Sequence, residues 1–548
     1  MKKVLSVILS LIMVTMALTA CSGNAQTGGE TAGNTDSMAE DNNTAAESSE
    51  TPVAEDTAGE EDAPDLSEHV TLKWYLCGSD NVTDDAAVLE KANQILGAKL
   101  NMTLQPIWGS WSDFEEGKVS LSINGGDDVD IYFTSSWTEN AYMAFARKGA
   151  YVRLDDPENN LFEKYGSDLY DVIPEMLINS ARIEGSDGKG IYAVPGYKDV
   201  ATQNTWDVNV TLLEKYGYTL ADIENTDYYG FGEILKTVKE GEGSQFYPLL
   251  VEGAVLERMV TNGIIVTGDA STNNLLSYYI NPTDVSQEGA YGNVLLNKFA
   301  TDEYKKFVEQ TREYFLAGYI DPAMGNAQQA SDVRTAKQLT GDYLIGTQSY
   351  SYGYETEMTI QRGITVAYVP CTPAYIDTTS PQGAMMAISS VSKNPERAMM
   401  FLNLLNTDVE LMTLLNYGVE GLHYDMADGE VVFLDKRNDY QPWRNGMGNV
   451  TLLPPQEGQG ADFQDQFKAY YGAAKSIPIV GFAVDATPIE TEMAALANVA
   501  AEYALALSTG AVDPAEKLPA FLAELEKNGM QKVLDEANSQ LEAFLAAQ

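Results

Sequence analysis

The chain alternates between two hydrophobic rhythms. Val70, Leu72, Trp74 and Leu76 fall on every second position, which is the period of a strand with one buried face. Thr83 is placed as an N-cap ahead of Asp84 and Asp85, and Val88, Ala92, Ile95 and Leu96 then follow helical spacing, with Gly97 set to stop the helix. Leu100, Met102 and Leu104 alternate again. The unit predicted is strand, helix, strand, with parallel strands and a right-handed crossover.

A further helix is predicted over 112–124, closed by Gly125-Gly126, and Val129 to Phe133 reads as a buried strand running into Thr134-Ser135-Ser136-Trp137. In open α/β sheets the loops beyond strand carboxyl ends face the ligand crevice, which makes Trp137 the leading ring candidate, with Trp108 and Trp111 behind it. The segment Gly190–Gly196, a buried strand meeting Pro-Gly, has the form of a crossing between lobes. Helices are expected over 208–216, 230–240, 301–317 and 329–338, and a short strand at 341–346 leads into the ring- and hydroxyl-rich loop 347–354. Ile364, Val366 and Tyr368 form another strand, and 383–391 a buried one. Asn394-Pro395 starts a helix whose apolar face is Ala398, Phe401, Leu402 and Leu405. After residue 450 the pattern is mainly helical, ending with a helix begun by Asp513-Pro514 and faced by Leu518, Leu522 and Leu525. No repeat of 20–50 residues is visible.

The first seventy residues follow neither rhythm. Lys2 and Lys3 precede an almost wholly apolar run over 4–20 that ends in Leu18-Thr19-Ala20-Cys21, the layout of a secretory signal with a cysteine where bacterial lipoproteins are lipidated. Residues 22–68 hold 13 acids and no Lys or Arg, and bury too little to offset ordering entropy. The chain is therefore divided into a signal at 1–20, an acidic tether at 21–69 behind a lipidated Cys21, and a body long enough for two lobes. Its formal charge of −46 argues against nucleic acid and anionic lipid, and less strongly against anionic ligands.

Two histidines, His69 and His423, and three cysteines offer no metal cluster, so no cofactor or metal is expected; Cys77 and Cys371 read as buried thiols or as one bridge. The 31 tyrosines against 16 phenylalanines are the informative excess, because a ring with a polar tip suits a sugar face. Beside the three tryptophans named above, the candidate contacts are Tyr350 and Tyr352 in the hydroxyl-rich loop, Trp443, Tyr197 and Trp206 after the first crossing, and Asp130 and Glu420.

Taken together, DDVDIYFTSSW, GIYAVP, SVSKNPERAMMFLNLLNTD, LLNYGVEGLHY and IVGFAVDATPIETE resemble the family 1 extracellular solute-binding proteins of bacterial ABC importers, in the branch with a C-terminal domain of unknown function. The resemblance spans about 70–548 and implies an α/β, two-lobed periplasmic-binding-protein fold (Venus flytrap, type II-like) with a helical C-terminal part. It places lobe 1 at 70–196 and 364–416 and lobe 2 at 197–363 and 417–548, with crossings at GIYAVP, near ITVAYVP and near 417–421. It implies a non-enzymatic, monomeric binder of a small solute, an oligosaccharide first, serving a membrane permease from the outer face of the cytoplasmic membrane. Binding of peptides or polyamines is the alternative, and an extracellular glycoside hydrolase using a carboxylate pair is a more distant one.

Overall fold

The computed structural model describes residues 65–78, 81–115, 117–265 and 275–548. The expected signal, Cys21 and nearly all of the tether lie outside these residues. The body begins earlier than the tether boundary at 69 expected. Arg397 donates to the carbonyl oxygens of Asp65 (2.9 Å) and Asn101 (3.0 Å), and Asn101 Nδ2 donates to Leu66 O at 2.8 Å, so residues 65–69 are fastened to the first lobe.

Two separate hydrophobic cores make two lobes. The first is built on a five-stranded sheet in the order Met102–Trp108, Val70–Leu76, Ile131–Thr134, Met385–Ile388, Val194–Pro195. The first three strands are parallel, as the strand-helix-strand pattern requires, with Val70 opposite Met102 and Trp74 opposite Ile131. Met385–Ile388 then runs antiparallel to Ile131–Thr134 and to Val194–Pro195, so a late strand is inserted between two early ones. Helix Pro395–Thr407 lays Ala398, Phe401, Leu402 and Leu405 on this sheet, each fully buried, and Phe401 meets Trp74 edge-on at 5.4 Å. Burying a side chain of this size contributes about 1.5–3 kcal/mol.

The second lobe centres on the sheet Val366–Pro370, Asn204–Asn209, Ile345–Ser349, Leu249–Leu250, in which Asn204–Asn209 is antiparallel to both neighbours. A smaller antiparallel sheet, Leu296–Asn297, Leu276–Tyr279, Gly263–Ile265, lies in the same lobe. Helices Glu490–Ser508, Pro514–Lys527 and Met530–Ala546 close it, burying Leu496, Leu507, Phe521, Leu525, Val533 and Leu541. Asp513 caps the middle helix by accepting from Ala515 N at 2.9 Å, and Pro514 stands at its first turn.

Three segments join the lobes: 196–203, 371–384 and 472–477. They are stitched side by side. Thr202 and Tyr375 exchange two backbone hydrogen bonds (2.7 and 3.0 Å), and Tyr375–Ile376 pairs in parallel with Lys475–Ser476. Two boundaries therefore differ from the expected ones. Val366–Pro370 belongs to the second lobe's sheet, and the chain returns only after it. Residues 417–471 stay with the first lobe, where Tyr417, Tyr440, Leu453, Phe467 and Tyr471 join its core, so the third crossing lies at 472–477 and not at 417–421. At the expected place Gly418 makes a turn instead: its φ is +87°, and a Cβ there would lie 2.5 Å from His423 Nδ1.

Local departures have equally local causes. The first helix runs through Gly97 to Leu100 and ends at Asn101 in the left-handed conformation (φ 45°), whose backbone N–H returns to Gly97 O. The helix expected over 112–124 is two, Trp111–Glu115 and Lys118–Gly125, broken at Gly117 with φ +82°. Cys77 packs in the first core and Cys371 against the second, with no disulfide between them, and burial pushes the Cys371 thiol up to about 12.

Candidate ligand-binding site

Between the lobes is a cleft of about 290 Å³ whose walls come from both of them. The first lobe supplies Ser136 and Trp137, the second Arg258, Ser349 and Tyr350, and the connecting segments Lys198, Asp199, Gln203, Tyr375, Asp377 and Gly383.

Trp137 is held by its loop from two sides. Ser135 Oγ accepts from Trp137 N (3.2 Å) and Thr138 N (3.1 Å), a hydroxyl turn that stops the chain as it leaves the strand. Asn140 Nδ2 donates to Phe133 O at 2.7 Å and Thr134 Oγ1 donates to Asn140 O at 2.7 Å. Across the sheet, Ser136 N donates to Gln382 O at 3.0 Å and the indole Nε1 of Trp137 donates to Gly383 O at 2.8 Å. The ring rests on Trp111 (6.1 Å), Trp443 (6.0 Å) and Phe133 (6.0 Å), yet is 39% exposed. A large ring, fixed on one face and open on the other, is a preformed stacking surface.

Tyr350 stands opposite, at the end of strand Ile345–Ser349. Its hydroxyl donates to both Glu355 carboxylate oxygens (3.0 and 3.2 Å), and burial pushes it far above the usual tyrosine range. Tyr350 therefore presents a neutral ring at any physiological pH.

Among the described residues, four charged groups line the cleft. Lys198 Nζ pairs with the neighbouring Asp199 carboxylate. Asp377, buried, accepts from Thr379 N (2.8 Å), Thr379 Oγ1 (2.8 Å) and Ser380 N (2.7 Å), which locks the second connecting segment into a turn. Arg258 projects from helix Gly253–Thr261. Gln203 is already engaged, donating to Thr372 O at 3.0 Å and accepting from Tyr470 Oη.

Of the residues predicted from sequence, Trp137 and Tyr350 line this cleft. Trp111 and Trp443 lie behind Trp137, 4.9 Å apart, and pack against its ring. Tyr352 leaves the second lobe to pack on Phe463 and Tyr470 of the first, its hydroxyl donating to Gln466 Oε1 at 2.7 Å, so it joins the lobes instead of facing ligand. Arg444 Nη2 and Glu357 Oε2, 3.1 Å apart, make a second link of this kind. The other candidates are elsewhere. Trp206 stacks on Tyr228 inside the second core because the sheet turns that face inward. Trp108 donates from Nε1 to Asp85 at 2.7 Å and abuts Tyr440. Tyr197 is buried against Phe467. Asp130 is a buried clamp, accepting from Lys73 N (2.9 Å) and Ser392 Oγ (2.6 Å). Glu420 is exposed beside Tyr424, on the first lobe. Sequence reasoning missed Arg258, Lys198, Asp199 and Asp377, since an isolated charged residue on a helix or in a loop has no periodic signature.

Comparison with known proteins agrees with this architecture. Residues 478–546 match the family model described as a domain of unknown function, DUF3502. A carbohydrate ABC transporter substrate-binding protein of Streptococcus pneumoniae serotype 4 is 27% identical over 502 residues, 89% of this chain and 94% of that protein. The N-glycan transport solute-binding protein NgtS of Streptococcus pneumoniae in complex with Man1GlcNAc superposes with a TM-score of 0.70 at 26% identity, over 87% of this chain and 100% of that one. Its complex with Man5GlcNAc gives a TM-score of 0.69 at 27% identity, over 87% and 99%. The two-lobed fold is that of the extracellular solute-binding proteins, and the chain is a homologue of the substrate-binding proteins of carbohydrate ABC transporters.

Proposed function

We propose that this chain is the solute-capturing component of an ABC importer, and that its cleft takes an oligosaccharide, holding it without cutting it and delivering it to a membrane permease. The single observation that carries this reading is the interlobe cleft walled by an exposed tryptophan from one lobe and a neutral tyrosine from the other. A ring stacks on the C–H face of a pyranose while polar neighbours meet the hydroxyls. A ligand touching both walls favours the state in which the walls are close, so binding and lobe closure are one equilibrium.

The relatives support a sugar, because the N-glycan transport protein carries Man1GlcNAc in one structure and Man5GlcNAc in another. An extracytoplasmic location agrees with these relatives. We extend it with anchoring through lipid on Cys21, the acidic stretch 22–68 serving as a tether, and with action as a monomer.

A thermal-shift panel tests the reading, since a ligand of the native state raises the melting temperature as its concentration rises. Man1GlcNAc, Man5GlcNAc and other neutral oligosaccharides are expected to raise it and to be recovered intact, without new reducing ends. If only peptides or polyamines raise it, or if the sugars are hydrolysed, the reading is wrong.

A further inference from the structure

The charges that line the cleft are two cations, Lys198 and Arg258, and two carboxylates, Asp199 and Asp377. Three of them have partners within the protein. Lys198 and Asp199 neutralise each other, and Asp377 accepts from three donors of its own turn. Arg258 differs: among the described residues its guanidinium has neither a hydrogen bond nor an ion pair, in a chain where 80 acidic residues face 34 basic ones. Its helix is firmly seated, with Val255, Leu256 and Met259 in the second core and Glu257 paired to Lys298, so the backbone that carries Arg258 does not move independently of its lobe.

Resting on the oligosaccharide reading, we propose that Arg258 is the specificity-determining donor of the second lobe, placing its planar fork of N–H groups on adjacent hydroxyl oxygens of an uncharged sugar. The fork offers several donors in one plane, which matches neighbouring oxygens on a pyranose ring better than a lysine point charge does. Among the described residues the balance of two cations and two carboxylates leaves no net charge for an anionic or a cationic ligand to complement, which fits an uncharged sugar. The walls also have unlike tasks. Trp137 supplies area from the first lobe, and Arg258 supplies directed hydrogen bonds from the second. Contact with Trp137 and Arg258 together therefore couples the sugar to closure, and contact with either wall alone does not.

A structural role is the competing possibility. Arg258 also borders a small adjoining cavity of about 10 Å³ with Asn204 and Thr372, whose Oδ1 and Oγ1 have no hydrogen-bond partner. A guanidinium turned that way would brace the connecting segment and leave the ligand untouched.

The test uses the full chain with Man5GlcNAc and Man1GlcNAc as probes, calorimetry for affinity and small-angle scattering for compaction. Arg258→Ala is expected to weaken binding about tenfold to a hundredfold, the range for hydrogen bonds to a charged group. It is also expected to reduce the compaction seen at saturating sugar, because the second lobe then loses its directed hydrogen bonds to the ligand. Arg258→Lys, which keeps the charge and most of the bulk, is expected to show the same loss of compaction, and stands in if the alanine variant does not fold. A lowered melting temperature of the free protein with affinity and compaction unchanged overturns the proposal in favour of bracing. So does tighter binding of a glucuronate-containing disaccharide or of spermidine than of either neutral probe. If the unmodified protein binds no neutral oligosaccharide, the oligosaccharide reading itself falls, and that result appears before any variant is made.

Discussion

Replacing Trp137 by alanine removes the one large ring that, among the described residues, the first lobe leaves open toward the cleft. An aromatic side chain of this size offers roughly 200 Å², and 39% of Trp137 remains exposed, so about 80 Å² is there for a ligand to cover. At about 25 cal/mol per Å² this is close to 2 kcal/mol, or about thirtyfold in Kd. The rings behind it, Trp111 and Trp443, pack 4.9 Å from each other and keep their own partners, so the substitution empties the wall without collapsing it. Trp137→Phe separates two contributions, since it keeps most of the ring and loses the 2.8 Å hydrogen bond from the indole to Gly383 O. Titration calorimetry with Man5GlcNAc is the assay. The expected order of affinity is wild type, phenylalanine variant, alanine variant. An alanine variant that binds within about twofold of wild type would refute the area argument, because among the described residues no other exposed ring of that lobe borders the cleft.

Two further outcomes follow from buried charge. Lys298 and Glu257 form an ion pair in the second lobe with each side chain only 4% exposed; Lys298→Met should cost about 3–5 kcal/mol by leaving the carboxylate alone, and Glu257→Leu/Lys298→Met should recover most of it, as read by urea unfolding. If the single variant matches wild type, the carboxylate is being solvated and the site is not the dry one described. His423 is fully buried; its Nδ1 accepts from Val419 N at 2.9 Å, and burial holds its pKa below 6.5 against the pull of Asp84 and Asp439 and alongside the push of Lys436 and Arg437. Because the unfolded chain takes up the proton first, stability is complete above about pH 6.5 and falls on acidification through that value, by at most about 1.4 kcal/mol per pH unit. Denaturation between pH 7.5 and 5.5 should show this slope for wild type and lose it in His423→Gln; an unchanged slope in the variant would place its origin elsewhere.

What the sequence made legible was local. Alternation at Val70, Leu72, Trp74 and Leu76 is enough to name a strand, and Asn394-Pro395 ahead of Ala398, Phe401, Leu402 and Leu405 is enough to start and orient a helix. The lobe to which a late segment belongs was not legible, because the apolar face of residues 463–471 states that a core is needed and not which of two cores. Ring candidates divided on the same ground. Trp137 follows a strand whose carboxyl end opens on the cleft, whereas Trp206 lies within a strand buried on both faces, and the two look alike until the sheets are assembled. Arg258 shows the opposite failure: on its helix it is one polar position among buried ones, and only the shape of the cleft distinguishes it from a solvated arginine.

The order of strands in the first sheet sets a schedule for the newborn chain. Ile131–Thr134 lacks its neighbour Met385–Ile388 until some 250 residues later, and the core they share is finished only by Phe467 and Tyr471. The first lobe's sheet is thus closed by contacts of large sequence separation, the kind that form slowly. Strands made early therefore wait for partners made late, and the first lobe is complete only when nearly the whole chain is available.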